Sequence, residues 1–256
     1  SLGYAVWMGD WRGNAHSTHR LYGFWCRGFD DSTLDDLARD DLDLMLRFII
    51  ARHGGKKPFY VGHSMGCAVL LRASTHDTVT ADLVKGAVLL SPALALKRPA
   101  NPVLRFVMCA CPPFVFSFAL PACALLQCIL PDKLLARLGE AAMRHLGFSV
   151  HPIGNDARAA AIFKLVPSGN LSRRIFGAFF EGCRDDRTLP FEPTRLRWPF
   201  VAYVGALDPV VHAGRTERAL IQAPGCQGVH VLEASHVDFV WPESATSRLV
   251  AEGCVR

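Results

Sequence analysis

A serine flanked by glycines, between a strand-like and a helix-like run, is the feature that most constrains how this chain can fold. Residues 59–71 begin with apolar β-formers, pass through Ser64 in the pattern Gly-His-Ser-Met-Gly, and continue into an apolar helix-forming run. This order predicts a strand, a sharp turn and a helix, with the serine hydroxyl raised above the end of the strand. Glycines at 62 and 66 fit such a turn, because side chains two residues before and after the serine would be crowded. We predict a catalytic Ser64; the alternative is a tight structural turn.

The other apolar segments alternate between helix and strand patterns. Residues 34–50 carry leucine and isoleucine at helical spacing, with acidic residues in the first turns and a stop at the glycines after His53. With 256 residues, half of them hydrophobic, the chain is large enough for one α/β domain. The alternation favours a doubly wound, mostly parallel sheet flanked by helices. Buried strands are predicted at residues 4–8, 59–62, 83–92, 200–205 and 228–233.

The alternation stops in the middle of the chain. Residues 97–195 are helix-like and rich in proline and apolar residues, so we predict a helical cap or lid at 97–195 inserted into a core formed by 1–96 and 196–256. Within this cap, residues 106–130 carry no charge. Three interpretations of that stretch are open: an apolar lid over a lipid-accepting site, a membrane span, or buried core. Its prolines, at 112, 113 and 121, disfavour a simple spanning helix.

Charge and cysteine spacing limit the partners and cofactors. The net charge of +5 comes from scattered basic residues, with no long basic run interleaved with aromatics, so nucleic-acid binding is not expected. The nine cysteines are irregularly spaced and form no C-x-x-C pair, which indicates neither a metal site nor a redox dithiol. No metal or organic cofactor is therefore expected, while disulfides and the oligomeric state stay open.

Two further polar residues each follow a predicted strand. Asp208 lies in the turn after 200–205, and His236 lies just after 228–233. Serine, aspartate and histidine in this chain order, each after a strand, are the arrangement of α/β-hydrolases. In that arrangement His236 is the base that takes the proton of Ser64, and Asp208 orients and stabilises the imidazole. The backbone N–H of Met65 is expected to form half of the oxyanion hole.

Other histidines and carboxylates compete for these roles. The alternative for Asp208 is a turn residue, and the alternative for His236 is a surface histidine. The less well placed rivals are His212 and His230 for the base and Glu233 and Asp238 for the acid. These two carboxylates lie so close in sequence to His236 that orienting its ring across the site is harder for them. We interpret two further histidines, His16 and His63, as structural or substrate-facing.

Four stretches of the sequence resemble the acid lipase family, which includes gastric and lysosomal acid lipases and fungal steryl ester hydrolases. They are residues 3–14 (GYAVWMGDWRGN), 60–66 (YVGHSMG), 167–172 (PSGNLS) and 236–241 (HVDFVW), and the resemblance is weak at 97–156. It implies an α/β-hydrolase that cleaves triacylglycerols and cholesteryl esters, with nucleophile Ser64, acid Asp208 and base His236. An oil–water or membrane interface is the expected place of action. The compartment stays open between lysosomal or secreted and lipid-droplet or membrane-associated.

The sequence departs from that family at two places. The family usually has glutamine where Met65 stands, a change that a backbone oxyanion contact tolerates. The family's first strands, and the His-Gly loop with the second oxyanion donor, precede the start of this chain, so we expect an N-terminally incomplete chain. Because one oxyanion donor contributes on the order of a hundred- to a thousandfold in rate, the chain by itself is expected to be a poor enzyme.

The residues and the resemblance together predict a serine carboxylic-ester hydrolase that acts on neutral lipid esters through an acyl-enzyme. A small-ester esterase or an acyltransferase with the same serine turn is the alternative among enzymes. A catalytically impaired, membrane-associated lipid-binding fragment, anchored by its apolar middle, is the alternative from another class of protein.

Overall fold

Four parallel strands form the sheet of the computed structural model, which describes residues 3–12, 17, 32–75, 82–110, 129–150, 172–240 and 250. In chain order, and each paired in parallel with the next, they are β1 (Phe59–His63), β2 (Gly86–Leu90), β3 (Phe200–Gly205) and β4 (Cys226–Leu232). The two middle strands, β2 and β3, are almost entirely buried, as is typical of parallel strands covered on both faces. Four of the five predicted strands are thus confirmed.

The helix predicted at 34–50 is confirmed as α1. It runs through three continuous segments, Leu34–Asp36, a π-helical turn at Leu37–Asp41, and Leu42–Arg52. Thr33 caps its start: the Thr33 side chain accepts the N–H of Asp36, whose carboxylate accepts the N–H of Thr33. The chain leaves the helix through two glycines with positive φ of 61° and 84°, a conformation that glycine adopts without steric cost.

The described part of the chain contains further helices. They are α2 (Met65–Ala73), α3 (Pro102–Arg105, continued by a π-helical turn at Phe106–Ala110), α4 (Asp132–His145), α5 (Arg173–Arg184) and α6 (Ala213–Leu220), besides a 3₁₀ turn at Pro193–Arg195. Of these, α2 contacts β1, and α6 contacts β3 and β4. Buried leucines and valines of α2 share one core cluster with leucines of α1 and with the inner strands. The observed architecture is therefore a parallel sheet flanked by helices, as the sequence pattern predicts.

Residues 4–8 do not form the buried strand predicted for them. The tyrosine, valine and methionine of this segment are 77%, 82% and 95% exposed, and the segment pairs with none of the described strands. Apolar alternation indicates β-propensity, but a strand forms only where a neighbouring strand satisfies its backbone hydrogen bonds. The segment lies instead beside α1, where the ring of Trp7 packs edge-on against Phe48 at 5.8 Å.

The described residues of 97–195 are largely helical, in line with the predicted cap. Single antiparallel bridges join Ala95 to Thr188 and Leu96 to Val211, close to the two ends of this region. The division into core and cap stays a prediction. Most of the charge-free stretch 106–130 lies outside the described residues, so its three interpretations remain open. None of the described helices combines the length and the apolar character that a bilayer span requires.

Candidate active site

The turn between β1 and α2 holds Ser64 in a strained conformation. Its φ of 51° and ψ of −113° lie outside the regions that non-glycine residues normally adopt, and such strain is concentrated at functional sites. The N–H of Ser64 donates to the carbonyl of Leu90 at 2.9 Å, and its own carbonyl accepts the N–H of Ala93 at 3.3 Å. The segment around Leu90 and Ala93 therefore holds the turn in place. The predicted strand, turn and helix are confirmed.

The two glycines of the turn are present for different reasons. A Cβ on Gly62 would lie 2.7 Å from the Tyr60 ring and 3.0 Å from the backbone N of Cys67, which leaves no room for a side chain. A Cβ on Gly66 would lie 3.4 Å from the Tyr60 hydroxyl, an ordinary contact. The prediction that a side chain would be crowded is confirmed at Gly62 and wrong at Gly66. The carbonyl of Gly66 accepts a hydrogen bond from the Tyr60 hydroxyl at 2.9 Å.

Ser64, His236 and Asp208 form one hydrogen-bonded chain across the ends of β1, β4 and β3. Ser64 Oγ lies 2.8 Å from His236 Nε2, and His236 Nδ1 lies 2.6 Å from Asp208 Oδ2. They meet because parallel strands bring their carboxyl ends to one edge of the sheet. With the Nδ1 proton donated to Asp208, Nε2 carries the lone pair that accepts the serine hydroxyl. The structure thus brings together the three residues predicted from the sequence.

Asp208 is a buried carboxylate kept ionised by its neighbours. Its Oδ1 accepts the N–H groups of Val210 and Val211 at 2.9 and 2.8 Å, and its Oδ2 faces the imidazole. Burial would raise the pKa of this carboxyl, but the charge of His236 and the hydrogen bonds from the ring and the two backbone N–H groups outweigh burial and lower it. Asp208 is therefore a carboxylate at neutral pH and can stabilise a positive charge on the ring.

Ser91 contributes to the site and was missed by sequence reasoning. It directly follows β2, is fully buried, has a positive φ of 41°, and donates its hydroxyl to Asp208 Oδ2 at 3.2 Å. Its N–H donates to the carbonyl of Tyr203 at 2.8 Å, which fixes the turn against β3. The signal that could have found it is its place directly after a buried strand, beside the strand that leads to Ser64.

His63 packs against the loop of the base. Its Nε2–H donates to the backbone carbonyl of His236 at 2.8 Å, and the two imidazole centroids lie 5.1 Å apart. Burial, reinforced by the nearby charge of His236, lowers the pKa of His63 to about 4. The neutral ring thus supports the loop without placing a second positive charge beside the base, and its interpretation as a structural residue fits these contacts.

The histidines that compete for the role of base lie in other surroundings. His212 directly precedes α6 and caps its start, where its Nδ1 accepts the N–H of Arg215. His230 is exposed on β4 and stacks on Tyr203 at a centroid distance of 5.1 Å. It is His236 that the structure brings to the serine hydroxyl. His16 lies outside the described residues.

The rival carboxylates also have surroundings of their own. Glu233 lies just after β4, at the surface. Asp238 is fully buried and accepts hydrogen bonds from Ser149 and from the N–H of Val150. The carboxylate placed at hydrogen-bonding distance from the Nδ1 of the base is that of Asp208.

Met65 is the first residue of α2 and directly follows Ser64. The first N–H groups of a helix have no carbonyl partner within the helix and lie at the positive end of its dipole. The position of Met65 suits an oxyanion contact through its N–H, and that role stays a prediction.

The described residues include no cluster of metal ligands, and their four cysteines are free. No cluster of three or more His, Cys, Asp or Glu side chains suited to a metal ion occurs among them. The cysteines in that part of the chain, at positions 67, 109, 183 and 226, are free thiols. Burial raises the pKa of Cys67 and Cys183, so neither is a thiolate nucleophile at neutral pH.

A cavity of about 250 Å³ lies between α1, α2 and α5. Its walls are mainly apolar, and the ion pair of Arg72 with Asp35 lies at one side. Ser64, His236 and Asp208 do not line it, so this cavity is not the space above the serine hydroxyl.

His63→Gln is expected to reduce the loss of stability at acid pH. The pKa of His63 is about 4 in the folded chain, below its usual 6.5, so the unfolded chain binds this proton more tightly. The contribution of the neutral ring is therefore complete above pH 6.5 and is lost as the pH falls towards 4. It amounts to on the order of 3 kcal/mol. Chemical denaturation at neutral pH and near pH 4 measures this contribution to the unfolding free energy.

His145→Gln, which replaces an exposed histidine at the end of α4, is the matched control. Wild type and control should lose more unfolding free energy between the two pH values than His63→Gln loses. Equal losses in all three proteins would contradict a lowered pKa of His63 in the folded chain.

Comparison with known proteins relates this geometry to a family. The family described as Serine aminopeptidase, S33 (Hydrolase_4) matches residues 1–235. The chain is 33% identical over 102 residues to a tear acid lipase-like protein of Mesocricetus auratus, covering 38% of this chain and 24% of that protein. It is 31% identical over 109 residues to the gastric triacylglycerol lipase of Rattus norvegicus, covering 40% and 26%. The match spans about a quarter of the length of these relatives and confirms the resemblance to acid lipases over that part.

Solved structures share the fold. The monoacylglycerol lipase of Paleococcus ferrophilus is similar over 96% of this chain and 81% of that chain, with a TM-score of 0.52 and 20% sequence identity. At that identity the similarity concerns the fold alone, and it confirms the predicted fold class. Since the family match covers most of the sequence, this chain belongs to the Hydrolase_4 (serine aminopeptidase, S33) family of α/β-hydrolases.

Proposed function

We propose that this chain is a serine carboxylic-ester hydrolase in which the substrate acylates Ser64. The observation that carries the proposal is the hydrogen-bonded chain from the Ser64 hydroxyl through His236 to the buried carboxylate of Asp208. A serine hydroxyl is a weak nucleophile until a base takes its proton, and an imidazole held by a carboxylate is suited to that task. The family match and the lipase relatives support the same chemistry.

In the first half-reaction, Ser64 Oγ attacks the carbonyl carbon of the ester while its proton passes to His236 Nε2. The carbonyl oxygen becomes an oxyanion, which the N–H of Met65 is positioned to stabilise. The bond to the alcohol oxygen then breaks, and His236 gives the proton to that oxygen. The product is an acyl ester on Ser64, and Asp208 stays ionised throughout, consistent with its lowered pKa.

In the second half-reaction, water takes the acyl group. His236 removes a proton from water as the water oxygen attacks the acyl carbon, and an oxyanion forms again near Met65. Collapse breaks the bond to Ser64 Oγ, which regains its proton from His236 and releases a carboxylic acid. Apart from the ester and water, the groups named in these steps belong to this chain.

Neutral lipid esters, such as triacylglycerols or cholesteryl esters, are the substrates that we infer. The support is the resemblance to acid lipases, together with relatives named as a tear acid lipase-like protein and a gastric triacylglycerol lipase. A helical cap at 97–195 over a core of 1–96 and 196–256 forms part of the proposal. The apolar, charge-free composition of its stretch 106–130 suits contact with acyl chains and docking at an oil–water or membrane interface.

A fluorophosphonate probe and a series of p-nitrophenyl esters test the proposal. The probe should label the wild type, because it reacts with an activated serine, and it should spare Ser64→Ala. The value of kcat/KM should rise from the acetate to a long-chain ester, and emulsified triacylglycerol and cholesteryl ester should be hydrolysed. A wild type that is neither labelled nor active would contradict the hydrolase and favour a lipid-binding role.

The same assays separate the enzymatic alternatives. A preference for the acetate ester would identify a small-ester esterase and contradict the lipid substrate. Transfer of the acyl group to an added alcohol in preference to water would identify an acyltransferase. Thr188→Ala, which removes the hydroxyl of an exposed threonine, should match the wild type in every assay.

A further inference from the structure

The loop that carries His236 is hydrogen-bonded to residues 147–150, which follow α4. The N–H of Val237 donates to the carbonyl of Phe148 at 3.0 Å, and the hydroxyl of Ser235 donates to the carbonyl of Gly147. These two donors are the immediate neighbours of His236 in sequence. The segment 147–150 therefore holds the loop at the residue before His236 and at the residue after it.

Asp238 adds a buried carboxylate to this connection. Its Oδ1 accepts the Ser149 hydroxyl at 2.6 Å, and its Oδ2 accepts the N–H groups of Val150 at 3.2 Å and of Ser235 at 2.8 Å. The residue is fully buried, and loss of its carboxylate would leave buried donors without an acceptor, which destabilises the folded chain. One side chain thereby ties the loop of the base to the segment 147–150.

Two rings pack on the imidazole at this place. The ring of Phe148 lies edge-on to that of His236 with 5.8 Å between centroids, and His63 lies 5.1 Å away and donates to the His236 carbonyl. The imidazole must keep its 2.8 Å distance from Ser64 for proton transfer. Displacement of the loop would therefore move the base away from its partner.

We propose that Asp238 is a positioning residue that fastens the loop of His236 to residues 147–150 and so keeps Nε2 directed at Ser64. The proposal rests on the function proposed above, since it concerns the same base. Asp238 acts through the backbone of the loop and not on the reacting atoms. The connection also makes the placement of 147–150, a segment of the predicted cap, a determinant of the reaction rate.

Two substitutions of Asp238 separate hydrogen bonding from charge. Asp238→Ala removes every acceptor of the carboxylate. Asp238→Asn keeps one oxygen for the N–H groups of Val150 and Ser235, and its NH₂ group can donate to the oxygen of the Ser149 hydroxyl. Asparagine should therefore rescue what alanine loses, although it carries no negative charge.

We expect Asp238→Ala to lower kcat about ten- to a hundredfold, with KM changed by less than about threefold, because small displacements of a catalytic group have effects of that size. Asp238→Asn should stay within about threefold of the wild-type kcat. Ser149→Ala removes one of these hydrogen bonds and should lower kcat less than Asp238→Ala does. The low-field NMR resonance of the proton on His236 Nδ1 should shift or broaden in both alanine variants and stay unchanged in the asparagine variant.

Ser172→Ala is the matched control. It also removes the hydroxyl of a buried, hydrogen-bonded serine, whose contacts include the carbonyl of Ser32 and the N–H of Arg174 at the start of α5. Its thermal stability should fall, while kcat and the Nδ1 resonance match the wild type.

A loss of stability without a change in kcat or in the Nδ1 resonance would overturn the proposal. This holds for Asp238→Ala and, where that variant does not fold, for Ser149→Ala. Failure of the hydrolase function would have a different signature: the wild type would not react with ester or probe, whereas the resonance would still report whether Asp238 positions the ring.

Discussion

Ser64→Ala is expected to lower kcat for ester hydrolysis by roughly a millionfold. Alanine removes the Oγ that forms the acyl-enzyme, and His236 then has no hydroxyl to deprotonate. In comparable triads the rate that survives comes from the oxyanion hole and from binding, so the variant should still exceed the uncatalysed reaction. Steady-state hydrolysis of a p-nitrophenyl ester, corrected for the background reaction, measures the change.

The fold should survive this substitution, because the contacts that hold the turn are made by the backbone. The N–H and carbonyl of residue 64 keep their hydrogen bonds to Leu90 and Ala93 in the alanine variant. Thermal unfolding should therefore match that of the exposed control Thr188→Ala. A loss smaller than about a hundredfold would identify another nucleophile and contradict the proposed mechanism.

Asp208→Asn is expected to lower kcat about ten-thousandfold, because it reverses the protonation of the imidazole. Two backbone N–H groups, from Val210 and Val211, donate to Oδ1, so the oxygen of asparagine must occupy that position. Its NH₂ group then replaces Oδ2, which lies 2.6 Å from His236 Nδ1. A donor at that place requires Nδ1 to accept. The ring proton moves to Nε2, which can no longer accept the proton of Ser64.

The surroundings of Asp208 accommodate the amide, so the effect should fall on kcat more than on stability. The Ser91 hydroxyl, which donates to Oδ2 in the wild type, can turn to accept from the NH₂ group. Asp43→Asn is the matched control, since it makes the same chemical change in a partly exposed ion pair with Arg47 on α1. It should keep the wild-type kcat. A loss of less than about tenfold in Asp208→Asn would show that another group orients the base.

Two strained serines help to assemble the site. Ser64 and Ser91 have positive φ and stand at the ends of the adjacent strands β1 and β2. Each donates its N–H to a carbonyl of the next strand, Ser64 to that of Leu90 and Ser91 to that of Tyr203. Strain of this kind persists only where the surroundings over-determine the conformation. Here it places the Ser64 hydroxyl at hydrogen-bonding distance from Nε2 of the base and the Ser91 hydroxyl at hydrogen-bonding distance from Oδ2 of the acid.

The features that depend on neighbours in sequence could be predicted from the sequence by itself. The turn at Ser64 follows from a strand former, a glycine and a helix former in succession, and α1 follows from leucine spacing and the glycines after His53. The positions of Asp208 and His236 after strands could also be recognised in the sequence. Because parallel strands carry such residues to the same edge of the sheet, both could be expected near Ser64, where the structure has them.

The features that depend on distant partners were decided only by the tertiary structure. Residues 4–8 have the pattern of a buried strand but are exposed, because no described strand pairs with them. Asp208 and Asp238 are both aspartates in loops that follow strands, and both lie near His236. Backbone N–H groups at 210 and 211 hold the first against the ring, whereas Ser149 and Val150 bind the second. Composition sets the local preference of a segment, but burial and hydrogen-bond partners come from segments far along the chain, and these choose between residues that look equivalent in sequence.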